Sequence, residues 1–179
     1  LPFSFLSLVN SPTSAKASSF NFSLSQCSYS SVANVAFEGQ SFYVASEAAN
    51  CQGSTVIQTP VISKYQSDGV RVWSVTFGTG SSLTDPTYVT ALATTSDGGV
   101  VFAGTTRGVV FGQTHSSATW DAYIAKLDST GNLLWAHQYG SAGTNWFLDV
   151  GVTGDGSLIA VGMAEGSIAG ETFSGNTDG

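Results

Sequence analysis

Two stretches of this sequence carry nearly the same pattern 62 residues apart, and that constrains the fold more than anything else in it. Val61-Ile62-Ser63-Lys64-Tyr65 followed by Asp68-Gly69-Val70-Arg71-Val72-Trp73 matches Tyr123-Ile124-Ala125-Lys126-Leu127 followed by Thr130-Gly131-Asn132-Leu133-Leu134-Trp135. Lys64 to Lys126 and Trp73 to Trp135 are both 62 residues. The text that follows matches at 58. Asp97-Gly98-Gly99-Val100-Val101-Phe102-Ala103-Gly104 corresponds to Asp155-Gly156-Ser157-Leu158-Ile159-Ala160-Val161-Gly162. The difference falls near residues 81–86, and a change of loop length is what sheet modules tolerate. A weaker copy lies upstream. Val32-Ala33-Asn34-Val35-Ala36-Phe37-Glu38-Gly39 resembles the run from Val89 to Gly98, and Phe42-Tyr43-Val44-Ala45-Ser46 stands where Val101 to Gly104 stand. Self-similarity at this period points to a modular architecture, with atypical terminal units.

Each module reads as four short strands. In the last copy these are residues 123–128, 132–139, 146–152 and 157–163. Val, Ile, Leu, Phe and Trp fill them, as a pleated buried surface favours. Ser129-Thr130-Gly131 and Gly154-Asp155-Gly156 supply Gly or Asp where a tight hairpin needs positive φ. No amphipathic run is long enough for a helix. The expected fold is all-β: three repeated four-stranded antiparallel modules resembling propeller blades, too few for a closed propeller of four to eight. The expected division is an N-terminal strand segment with a diverged first repeat at 1–59, a second repeat at 60–120 and a third at 121–179. Unclosed modules leave strand edges that pair with other chains.

The segment from Asp121 to Trp135, then Tyr139-Gly140-Ser141, then Val152-Thr153-Gly154-Asp155-Gly156-Ser157, resembles the β-propeller repeat family labelled SBBP. The likeness covers about residues 60–179 well and 20–60 poorly. It implies a propeller-type repeat within a larger secreted or cell-surface protein. No catalytic residues define that family, so none is implied here.

Charge excludes several partners. Only 9% of residues are charged and the net charge is −7, with the five bases scattered. Nucleic acid binding needs a basic footprint, and an anionic membrane surface attracts the same. No stretch approaches the ~20 apolar residues of a membrane-spanning helix. At 42% hydrophobic the chain still expects a packed core, so its surface is polar chiefly through hydroxyl and amide residues. Such a surface suits secreted proteins, glycans and close subunit packing. The opening Leu1-Pro2-Phe3-Ser4-Phe5 reads better as a strand than as the tail of a signal peptide, because Ser interrupts the apolar run.

Cys27 and Cys51 are expected to form a disulfide, which implies an oxidising compartment. Asn21-Phe22-Ser23 is an N-glycosylation sequon, so Asn21 is a candidate acceptor. His115 and His137 occupy different places in the repeat and lack metal-ligand spacing. The Asp-Gly corners lack the spaced acids of a calcium loop and read as turns. Asp85, Asp121 and Asp149 show no pairing that suggests glycoside hydrolysis. No cofactor is expected. Trp73 and Trp135 recur and read as packing between modules. Trp120 and Trp146 do not recur, and are candidates for stacking a sugar or contacting a subunit.

The leading expectation is a non-enzymatic extracellular or cell-surface structural protein, a component of an appendage or filament. It would associate with itself or with other extracellular subunits, and would neither bind nucleic acid nor insert in a membrane. The alternative is a carbohydrate- or protein-binding module of a larger adhesin. A glycoside hydrolase fragment is the remotest expectation.

Overall fold

The computed structural model describes residues 7–8, 18–19, 32–52, 55–78, 85–115 and 119–168. Side chains are described for these residues except at 7–8, 18–19, 32–33, 48–52 and 55–58. The described residues are all-β, without helix. A short pair, β1 (Ser7–Leu8) and β2 (Ser18–Ser19), precedes three antiparallel sheets. The first sheet holds β3 (Val32–Glu38), β4 (Ser41–Gln52), β5 (Thr55–Gln66) and β6 (Arg71–Thr76). The second holds β7 (Thr87–Thr94), β8 (Val100–Thr106), β9 (Asp121–Leu127) and β10 (Leu133–Tyr139). The third, among the described residues, holds β11 (Asn145–Val152) and β12 (Leu158–Ala164). Each four-stranded sheet is an up-and-down meander and none closes into a barrel.

The third sheet departs from the expectation of three four-stranded modules. The sheets are offset from the sequence modules by half a unit. The first two strands of the last sequence module, β9 and β10, pair with β8 and complete the second sheet. That leaves β11 and β12 to form the third alone among the described residues. A sequence period has no intrinsic starting point, whereas hydrogen bonding imposes one: residue 60 lies inside β5 and residue 121 opens β9.

Local geometry repeats with the sequence. In four hairpins an i+3 amide donates to the turn's first carbonyl, and the first amide to the i+4 carbonyl. Gly69, Gly98, Gly131 and Gly156 are these i+3 residues, the last of each three-residue loop. All four have φ between 78° and 92°. This is a three-residue loop whose left-handed glycine forms the bulge that closes the hairpin. Glycine alone takes the positive φ. The neighbouring aspartates act differently, accepting backbone N–H bonds, as Asp68 does from Val70 (3.0 Å) and Asp155 from Ser157 (3.0 Å).

Bulges recur as well. β3, β7 and β11 each carry an extra residue, at Ala33, Thr90 and Leu148, opposite the next strand. β6 and β10 carry theirs at Val72 and Leu134. A bulge increases strand twist and bends the sheet.

The sheets pack face to face. Tyr43, Ala45, Ile62 and Trp73 of the first sheet meet Val89, Leu92, Phe102 and Tyr123 of the second. On its other face the second sheet presents Ala91, Val101, Ala103, Ile124 and Trp135 to Phe147, Val150, Leu158 and Ala160 of the third. Hydrogen bonds lace the first strands of successive sheets: Asn34 Nδ2 to Thr90 O (3.0 Å), and Thr90 Oγ1 to Phe147 O (2.6 Å). With both faces covered, β8 buries all seven residues. β12 matches it in sequence, but its Leu158 and Ala160 pack on the second sheet while Ile159 and Val161 between and beyond them are exposed.

Candidate functional site

Two lysine–carboxylate pairs are placed at hairpins of the first two sheets. The β3–β4 turn presents Glu38 to Lys64 of β5, at 3.1 Å. The β7–β8 turn presents Asp97 to Lys126 of β9, at 2.6 Å. In each case the third strand of a sheet sends its lysine to the acid on the turn between the first two. Burial opposes the Lys64 ammonium, but hydrogen bonds with Tyr43 and Glu38 outweigh it and hold its pKa above the ordinary value. Asp97 is held down at about 2, first by the Lys126 hydrogen bond and then by that of Thr95.

In the third sheet the same turn carries Asp155. It accepts from Thr153 Oγ1 and from the Ser157 amide, as Asp97 accepts from Thr95 and Gly99. These bonds, with Thr153 the largest influence, hold its pKa at about 2. No lysine or arginine pairs with it among the described residues.

A depressed carboxylate pKa makes stability depend on acid. The ionised turns stabilise the fold above the ordinary carboxylate value of 3.8, and that stabilisation is lost as pH falls through about 2. The melting temperature is therefore expected to fall between about pH 4 and pH 2. Asp97→Asn should flatten that fall in a thermal scan series. An unchanged slope would show that Lys126 does not hold Asp97 in solution.

Among the described residues the outward face of the third sheet exposes a row of apolar side chains. Ile159 is 55% exposed, Val161 54% and Leu148 53%, with Trp146 beside them at 36%. Ile159 and Val161 stand 58 residues after Val101 and Ala103, which are 0% exposed between the second and third sheets. Tyr43 and Ala45, another 58 residues earlier, are likewise 0% exposed between the first and second. The same face is therefore packed twice and open once.

The other candidates from sequence fall in separate places. Trp120 is half-buried, with its ring 5.6 Å from Tyr88 and the Arg107 guanidinium 5.3 Å above it. Its carbonyl accepts from the Asn145 backbone at 2.8 Å, which anchors the start of β11. Trp146 lies on the open face and is not brought together with Trp120 by any ring contact. Cys27 and Asn21 lie outside the described residues. Cys51 lies in β4 opposite Val56, but its side chain is not among those described. His137 is exposed between Trp135 and Tyr139 on β10.

One polar cluster was not visible in the sequence. Asp121 is fully buried and accepts from Gln138 Nε2 at 2.9 Å, with His115 Nδ1 also at 2.9 Å. Gln138 continues to the Gly108 carbonyl and the Val110 amide. The cluster ties residues 107–115 to the second sheet. That segment includes Phe111 at φ 48°, whose strained backbone is held by stacking on Phe77 at 5.0 Å. Buried polar groups satisfied in this way fix a loop in place. Among the described residues no three His, Cys, Asp or Glu side chains converge as metal ligands.

These features define an all-β protein of face-packed antiparallel sheets in which, among the described residues, the last sheet has an unpaired edge and an uncovered face. No family model matches the chain, and the comparison with curated proteins gave no match.

Proposed function

We propose that this chain is a structural component, built of β-propeller-type repeats, of an extracellular or cell-surface assembly, and that it joins other subunits through its third sheet. The single observation that carries the reading is the exposed pair Ile159 and Val161, whose counterparts in both preceding sheets are buried, with Leu148 of the paired strand also exposed. A contiguous apolar patch of this kind marks an interaction surface. Two features add support. The outer strands β6 and β10 also expose Val72, Leu133 and Leu134. The chain has few charges to oppose close approach between copies. On this reading its chemistry is that of packing, with secretion and an SBBP-like ancestry as parts of the proposal.

Native mass by light scattering over a concentration series, with the same fractions viewed by electron microscopy, tests it. Growth to a defined oligomer or filament is expected. A compact monomer near 18.4 kDa at every concentration would remove the self-assembly reading. Trp146, exposed on the same face, favours a second reading as a glycan-binding module. Glycan-array binding by a monomer, lost in Trp146→Ala, is the result that would prefer it.

A further inference from the structure

We infer that the edge of β12 left unpaired among the described residues takes a β-hairpin of the β9–β10 type, supplied by another repeat unit, whose lysine pairs with Asp155. The inference rests on the assembly reading and names the chemistry of the partner.

Three observations point to this occupant. The first is pairing. β4 and β8 are each flanked on both sides, by β3 and β5 and by β7 and β9. β12 has β11 on one side and no strand on the other among the described residues. An open edge offers a row of unpaired amides and carbonyls to an added strand.

The second is charge. In both complete sheets the third strand brings a lysine to the turn acid, Lys64 to Glu38 and Lys126 to Asp97. Asp155 has the same turn geometry as Asp97 but no cation beside it among the described residues. A strand placed on β12 in the register that β9 takes on β8 would bring its lysine to Asp155. In that register Lys126 stands opposite Val101, and the position equivalent to Val101 is Ile159.

The third is the indole. Trp73, on the outermost strand of the first sheet, donates from Nε1 to Ser129 O in the β9–β10 turn, at 3.0 Å. A Cβ on Gly131 of that turn would meet the Trp73 ring at 3.0 Å, so the turn lies directly against the indole. Trp135 holds the equivalent place on the second sheet. The sheet it faces has no such hairpin among the described residues. A cleft of about 240 Å³ opens there, lined in part by Trp135, Asp97, Lys126, Gly156 and Leu158. An added hairpin would place its glycine turn against Trp135, so the partner is specified at two points by an anion and an indole.

The test uses the full chain and a synthetic peptide of its own residues 119–141, labelled for fluorescence anisotropy. Saturable binding is expected. It should weaken about tenfold with the Lys126→Glu peptide, as loss of one charge-assisted hydrogen bond predicts. The Asp155→Lys chain should weaken binding of the native peptide and restore binding of the Lys126→Glu peptide. Near-ultraviolet circular dichroism checks that the variant chain is folded. If Asp155→Lys unfolds it, a Trp135→Phe chain, expected to bind the native peptide several-fold less tightly, takes its place. No binding, or binding indifferent to the charge exchange, overturns the inference. If the peptide fails to bind while the chain still grows in mass with concentration, a second copy covers this sheet. The assembly reading then stands and the hairpin inference falls.

Discussion

Replacing Phe102 by alanine is expected to remove about 4 kcal/mol of folding stability, the range seen when a fully buried aromatic side chain is truncated. Phe102 sits in the middle of β8 with no exposed surface. Its ring centroid lies 5.0 Å from Phe77, 6.1 Å from Phe111 and 6.4 Å from Tyr123. These rings join the first sheet, the second sheet and the strained segment at Phe111. Truncation leaves a cavity at a point where three elements meet, and close-packed neighbours relax only partly into it. Urea denaturation reads the change as a lower midpoint at constant slope. A loss below about 1 kcal/mol would mean that the first and second sheets do not share this core.

The Gly104→Ala change is expected to cost about 3 kcal/mol by overpacking. A Cβ there would stand 1.9 Å from the Tyr88 carbonyl and 3.0 Å from the Tyr123 hydroxyl. That hydroxyl donates to the same carbonyl at 3.0 Å. The cause is the bulge at Thr90, which bends β7 towards β8 at the Val89–Gly104 pair. Gly162 is built alike, with the Trp146 carbonyl 1.8 Å from its hypothetical Cβ, beside the bulge at Leu148. Gly151 provides the control. It lies in the same sheet with nothing within 4 Å of an added Cβ, so Gly151→Ala should be close to neutral. Equal midpoints for the Gly104 and Gly151 variants in one denaturation series would contradict the bulge account.

These two glycines show what could be read from the sequence. Gly104 and Gly162 stood out because they recur 58 residues apart, and the recurrence was a sound guide to position. The reason for it, a carbonyl from a bulged partner strand, belongs to another segment and carries no mark of its own. The last four strands were placed within two residues because their apolar runs end at glycine turns. Their assignment to sheets was not legible. Periodicity fixes spacing and leaves phase free, so β9 and β10 read as the start of a module when they complete the sheet before it.

The site was legible in outline only. Lys64 and Lys126 aligned the repeats, but their partners Glu38 and Asp97 lie 26 and 29 residues away on turns of their own sheets. Trp73 was expected to pack between modules and does, against a turn 56 residues further on. Trp120 stood out as an aromatic in a polar loop. Its ring contacts Tyr88 and Arg107, residues far enough away in sequence that nothing near Trp120 signals them. The buried Asp121 cluster depends on contacts between a loop, a strand start and a neighbouring strand, which no local pattern encodes.

The measurement that bears most directly on the central claim is native mass by light scattering for the chain beside an Ile159→Lys, Val161→Lys double variant, at matched concentrations. Both side chains are more than half exposed, so the variant should fold and melt as the parent chain does. The account predicts that the parent grows beyond 18.4 kDa with concentration while the variant stays a monomer. Equal growth in both would place the contacts on another surface and contradict the account.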